Sequence, residues 1–162
     1  MSIEDRLSEL GIQLPPVAAP VASYVPVVVS NGFAFVSGQV AMEDGKPTYQ
    51  GRLGAEISME EGMEAARRCA LQALAALEAE LGSLDRVGRI VKLTVWVAST
   101  DSFTNQPRVA NGASDLLGEI FGDAGRHARA AVSAPVLPLG VPVEVEVVAE
   151  VSGAGGGRPP GE

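Results

Sequence analysis

The sequence predicts an α+β domain, a mixed β-sheet with two helices packed on one face. Three observations lead there. The apolar period switches between that of a strand and that of a helix, in the order strand, strand, helix, strand, helix, strand, strand. One of those helices has both its start and its stop written into the sequence, at Ser58 and Gly82. The last strand alternates so regularly, within Val141 to Val151, that one of its faces must be buried. Two helices laid over one face give every strand an apolar partner.

Residues 1–19 are expected to form a strap. Ser2, with Asp5 three residues on, caps a short helix whose Ile3, Leu7 and Leu10 share a face, and Pro15 and Pro16 end it. The domain proper spans residues 20–151. Val25 to Val29 and Phe33 to Val40 are β-branched and aromatic runs joined by Ser30-Asn31-Gly32. Asn-Gly tolerates the positive φ that a tight hairpin turn demands. Glu43-Asp44-Gly45-Lys46-Pro47 makes a second turn ahead of a weak extended piece around Thr48 to Gln50. Ser58 opens the long helix and Glu61 completes a capping box. Met63, Ala66, Ala70, Leu74, Leu77 and Leu81 then recur at helical steps, and Gly82 stops the helix. Cys69, on the shoulder of that stripe, reads as a small packing residue rather than a nucleophile, because nothing local would favour its thiolate.

Ile90 to Val97 is a strand with Val91, Leu93, Val95 and Val97 on one face and Lys92, Thr94 and Trp96 on the other. A second helix runs from about Pro107 to Phe121, with Leu116, Leu117, Ile120 and Phe121 toward the core. Ala128 to Val136 is extended and Leu137-Pro138-Leu139-Gly140 turns. In the final strand Val143, Val145, Val147 and Ala149 oppose Glu144, Glu146, Val148 and Glu150. Residues 152–162, rich in Gly and Pro with no large apolar side chain, read as a disordered tail. Thr94, Trp96 and Val148 would be wasted on water, so the uncovered sheet face is expected to pack on another copy in a homo-oligomer.

Composition narrows the chemistry. A chain of 162 residues, 46% apolar and 20% charged, supports one domain with a real core. A net charge of -8 makes sequence-independent nucleic-acid binding a poor expectation. With one cysteine and one histidine, the chain can build neither an intrachain disulfide nor a zinc site of the Cys/His type. No run approaches the roughly 20 apolar residues of a membrane span and no signal peptide is visible, so the cytoplasm is the expected compartment. Ser37 lacks the G-x-S-x-G elbow, and the glycines follow no phosphate-loop spacing.

What remains is a polar set on apolar strands. Arg129, flanked by Ala128, Ala130, Ala131 and Val132, carries a fork that can hold a carboxylate with two parallel hydrogen bonds. A structural ion pair with Glu144 or Glu146 across the sheet is the competing assignment, and the pattern leaves both open. His127 is read as satisfying the loop 122–125 rather than moving protons, since adjacent strand side chains point to opposite faces.

Ala128-Arg129-Ala130-Ala131-Val132, Leu137-Pro138 and Val143-Glu144-Val145-Glu146-Val147-Val148-Ala149 together resemble the C-terminal signature of the RidA/YjgF family, which includes enamine/imine deaminases. Tyr24, Ser37-Gly38-Gln39, Lys92-Leu93-Thr94-Val95-Trp96-Val97 and Asn111 fall in the family's order, so the resemblance covers Ala22 to Val151. It implies a chorismate-mutase-like fold and a homotrimer with pockets between neighbouring subunits. It also implies hydrolysis of small 2-imino acids, of the 2-aminoacrylate or 2-iminobutanoate type, to 2-keto acids and ammonia. Arg129 would clamp the substrate carboxylate and Glu144 would hold or activate water, while Tyr24, Ser37, Gly38 and Asn111 would shape the pocket. No metal and no organic cofactor enters that scheme. A glutamate near an arginine is expected to stay ionised at neutral pH.

The sequence departs from the family pattern at Ala131, where many members carry cysteine, so redox switching there is not expected. The connection Phe103-Thr104-Asn105-Gln106-Pro107-Arg108 is longer than in short members, and the strap and tail are additions, as in a longer subgroup. A substrate other than the two small imines is therefore open. The main alternative is a non-catalytic, carboxylate-binding or regulatory trimer. RNA cleavage is disfavoured by the acidic charge and the absence of a basic or aromatic stripe, and no membrane partner is expected.

Overall fold

The computed structural model describes residues 1–17 and 22–153. The sheet is built first from the hairpin of β1 (Val27–Ser30) and β2 (Phe33–Gln39). Asn31 and Gly32 make its turn with φ of 51° and 79°, the double positive φ of a two-residue turn. Asp44 and Gly45 repeat that turn between β3 (Met42–Glu43) and β4 (Lys46–Pro47). The extended piece expected at Thr48 to Gln50 thus falls earlier, on Lys46 and Pro47. A two-residue turn sets Lys46 directly opposite Glu43, and the Thr48 N–H already closes the ladder on the Ala41 carbonyl at 3.1 Å.

Helix α2 (Met59–Leu81) runs from cap to cap as its local signals dictate. The Ser58 hydroxyl accepts the Glu61 N–H at 3.2 Å, the Glu61 carboxylate accepts the Ser58 N–H at 2.8 Å, and Gly82 takes the left-handed cap with φ 82°. Ala66, Ala70, Leu74, Leu77 and Leu81 are buried, and Met63 is half-buried. Cys69 and Ala73 widen the buried side, because α2 packs against the sheet and, alongside it, against α3 (Gln106–Phe121). On α3, Leu116, Leu117, Ile120 and Phe121 turn inward. A buried leucine of this kind stabilises by about 2 kcal/mol.

Strands β5 (Val87–Ala98), β6 (Ala128–Ala134) and β7 (Val143–Val151) complete a five-stranded sheet in the order β1-β2-β7-β5-β6. Only β5 and β6 run parallel, and α3 supplies the crossover that a parallel pair requires. Val143, Val145, Val147 and Ala149 are buried against the helices, as their alternation dictates. Val91 is not. Irregularities in the pairing of β5 with β7 around Gly88 and Val91 let Ile90 and Leu93 both face the helices, leaving Val91 half-buried. The open face presents Val28, Phe33, Phe35, Trp96 and Val132, each partly exposed.

The strap begins as α1 (Ile3–Glu9), with the expected capping box at Ser2 and Asp5 and with Leu7 buried. Three polar bonds dock it. The Ile3 N–H donates to Asp85 at 2.6 Å, Arg6 Nε to the Glu119 carbonyl at 2.9 Å, and Gln72 Nε2 to the Pro16 carbonyl at 2.7 Å. The last residues assigned to the strap, 18–19, and most of the tail, 154–162, lie outside the described residues. No helix among the described residues is long and apolar enough to cross a membrane.

Cys69 is fully buried, and its thiol donates to the Val143 carbonyl at 3.4 Å. Burial pushes the thiol well above its ordinary value. The native protein should therefore resist a thiol-specific disulfide reagent even at pH 9, with a rate at least about a thousandfold below that of the urea-unfolded chain. Rapid labelling of the folded protein would show that the residue is not sealed in the core.

Candidate active site

Arg129 stands beside Leu93 in the parallel register, and Leu93 is fully buried, so Arg129 lies on the helix-covered face of the sheet. β6 is an edge strand, and Arg129 is exposed there beside α3. Nη1 donates to Asn111 Oδ1 at 2.9 Å and to Ser114 Oγ at 3.1 Å. Those two residues sit three apart on α3 and so share a helix face. Among the described residues Arg129 makes no ion pair. Its partners there, Asn111 and Ser114, are uncharged. Ser114, Gly118, Gly125, Arg126 and His127 complete with it the lining of a cleft of about 340 Å³.

The expected contact between His127 and the loop is present, through Nδ1 and the Gly125 carbonyl at 2.6 Å. The parity argument for keeping His127 away from Arg129 fails, since the two are two residues apart and share a side. His127 Nε2 lies 2.9 Å from Ser114 Oγ. Ser114 was not singled out in the sequence. Its spacing of three from Asn111 was the signal that could have found it.

Glu144 belongs to the opposite face. It pairs with Trp96 across β5 and β7, and Trp96 is on the open side. Glu146 shares that side and accepts the Trp96 Nε1–H at 2.7 Å. The β2–β7 ladder slips between Val36 and Gln39, where Ser37 and Gly38 bulge. A Cβ on Gly38 would fall on the Glu144 carboxylate, so any larger residue there would make that carboxylate move aside. The Ser37 hydroxyl donates to the Val25 carbonyl at 2.9 Å and so ties down the segment carrying Tyr24, which is 57% exposed.

The candidate residues therefore fall into two groups. Arg129 and Asn111 form one, joined by Ser114 and His127; Glu144, Gly38, Ser37 and Tyr24 surround the bulge of β2. The protomer does not bring them together. An ion pair of Arg129 with Glu144 or Glu146 is ruled out by the sheet faces. The expectation of an ionised Glu144 loses its cause as well, because burial, and then the like charge of Glu146, push its carboxyl upward from the ordinary value. A roomier cleft of about 570 Å³ lies under the strap, lined in part by Pro15, Met42, Arg68 and Gln72. Its one arginine is already paired with Glu64 at 3.0 Å and Glu43 at 3.5 Å, so the smaller cleft has the stronger claim on an anion.

A mixed sheet of this order, with two long helices on one face and an arginine on its edge strand, defines a chorismate-mutase-like α+β class. Residues 4–151 match the family described as "YjgF/chorismate_mutase-like, putative endoribonuclease", and the chain belongs to that family. Among its relatives, Protein TCP17 of Trypanosoma cruzi is 50% identical over 148 residues, 91% of this chain and 92% of that protein. A solved "putative endoribonuclease" of Shewanella oneidensis is 39% identical with a TM-score of 0.89, covering 93% of this chain and 99% of that one. The protein Atu1372 of Agrobacterium tumefaciens, described as of unknown function, is 40% identical with a TM-score of 0.84, covering 93% and 92% of the two chains.

Proposed function

We propose that the protein hydrolyses small 2-imino acids to 2-keto acids and ammonia, as a trimer whose pockets join the Arg129 group of one protomer to the Glu144 group of the next. The observation that carries this reading is the Arg129 guanidinium, held among the described residues by the uncharged Asn111 and Ser114 and lining a cleft at the edge of the sheet. A fork in that position suits a carboxylate. The second observation is the apolar open face, with Phe35 and Trp96 on it, which a neighbouring protomer would cover.

The chemistry asks little of the protein. Water adds to C2 of the imine, a C–O bond forms, and the C=N π electrons pass to nitrogen. The resulting carbinolamine then expels ammonia as the C–N bond breaks and the carbonyl forms. Arg129 fixes the carboxylate so that C2 is presented in one orientation. Glu144, as carboxylate, takes a proton from the attacking water and gives it to the imine nitrogen, forming the neutral carbinolamine, and then passes the hydroxyl proton to that nitrogen so that ammonia leaves as the carbonyl forms. A carboxyl shifted upward by burial and Glu146 suits that two-way traffic better than a strongly acidic one.

The test couples the protein to a pyridoxal-phosphate-dependent serine or threonine dehydratase and traps the imine with semicarbazide. Semicarbazone formation should fall as the protein is added, and light scattering should give the mass of three chains. Undiminished trapping together with tight binding of 2-oxobutanoate would replace the enzyme by a carboxylate-binding trimer. The endoribonuclease description carried by the family finds no support in this chain's net charge of -8.

A further inference from the structure

Arg129 Nη1 carries two protons, and both are spent within the chain: one on Asn111 Oδ1 and one on Ser114 Oγ. The Nε–H and the Nη2 protons have no partner among the described residues. Ser114 in turn is not free to rotate, because His127 Nε2 stands 2.9 Å from its oxygen. The His127 ring is itself oriented by Gly125. A carbonyl oxygen only accepts, so Nδ1 must carry a proton to make the 2.6 Å contact. In the neutral ring Nε2 is then an acceptor, and it takes the Ser114 O–H. The lone pairs of Ser114 are thereby turned to Arg129. The chain of donors runs in one sense, from Arg129 to Ser114 to His127, while His127 is held from behind by the loop 122–125.

We propose that Ser114 and His127 are positioning residues that, with Asn111, hold the Nη1 corner of Arg129 so that its Nε–Nη2 edge is the fork presented to a ligand carboxylate. Asn111, expected to shape the pocket by touching substrate, is assigned instead to the arginine. The inference rests on the reading of Arg129 as a carboxylate clamp. It goes beyond that reading by naming the edge that grips and the residues that aim it. A guanidinium free to turn on its exposed stem would sample several edges, so fixing one corner makes the two parallel bonds available without further loss of freedom.

Two measurements test it. His127 is the chain's one histidine, so protein labelled with nitrogen-15 in histidine gives a single pair of ring signals. At mildly alkaline pH the proton should sit on Nδ1, and the Nε2 signal should move in Ser114→Ala. A ring protonated on Nε2 would overturn the proposal. Binding of 2-oxobutanoate is the second readout, with KM and kcat for imine hydrolysis beside it.

Ser114→Ala should weaken binding and raise KM about tenfold while kcat changes less than about twofold. Glutamine places an oxygen near the Nε2 position and asparagine a donor near Nδ1, so His127→Gln should bind nearly as the parent does, whereas His127→Asn should resemble Ser114→Ala. The reverse order would mean that His127 serves the loop alone, and parent-like binding by Ser114→Ala would likewise overturn the positioning role. If the parent protein binds no 2-oxobutanoate, the clamp falls and this inference with it. If binding and its Ser114 dependence hold while no imine is hydrolysed, only the enzymatic reading fails.

Discussion

Arg129→Lys is expected to lower kcat/KM for imine hydrolysis by about a hundredfold or more, with the circular dichroism spectrum and the trimer mass unchanged. Lysine keeps the charge and loses the fork. Its single ammonium cannot both satisfy Asn111 and Ser114, which Nη1 serves at 2.9 Å and 3.1 Å, and offer two parallel bonds to a carboxylate. Two charge-assisted hydrogen bonds weakened together cost about 3 kcal/mol, which is about two orders of magnitude in rate. The fold should tolerate the change, since Arg129 lies on an edge strand and gives up no ion pair among the described residues. A variant that traps imine at the parent's rate would remove the bidentate clamp from the mechanism.

Gly112→Ala should be the most damaging one-carbon change tested on stability, lowering Tm by about 5 to 10 °C. A Cβ there would run into the main-chain carbonyl of Met63 on the facing helix α2. Neither helix can yield locally, because each is pinned by fully buried leucines such as Leu74 and Leu117. Helix propensity alone favours alanine over glycine by about 1 kcal/mol, so the steric cost has to overcome an opposing gain. Gly118, on the same helix with open space where its Cβ would stand, provides the control. Gly118→Ala should raise Tm slightly. Thermal melts showing equal shifts for the two variants would mean that the close approach of the helices is not what Gly112 provides.

Much of the fold could be read because its signals are local. Ser58, Glu61 and Gly82 mark the ends of α2 without reference to anything distant, and Asn31-Gly32 marks the turn of its hairpin in the same way. Where two segments had to be known together, the sequence was silent. Val91 looked buried because alternation cannot reveal a bulge, which exists only in the pairing of β5 with β7. The site shows the same division. Arg129, Asn111, Glu144 and Gly38 could be picked out by residue type and order. That Arg129 and Glu144 occupy opposite faces depends on β6 running beside β5 and β7 lying on β5's other side. Ser114 and His127 could have been caught by counting, three from Asn111 and two from Arg129.

The separation of Arg129 from Glu144 by the thickness of a sheet has a bearing on dosage. In the proposed trimer a solitary protomer would be folded and yet chemically mute, holding a grip on one side and a base on the other with no shared space between them. Turnover would then depend on abundance as well as on sequence. In the dilute regime where subunits separate, output would rise roughly as the cube of the amount of protein made.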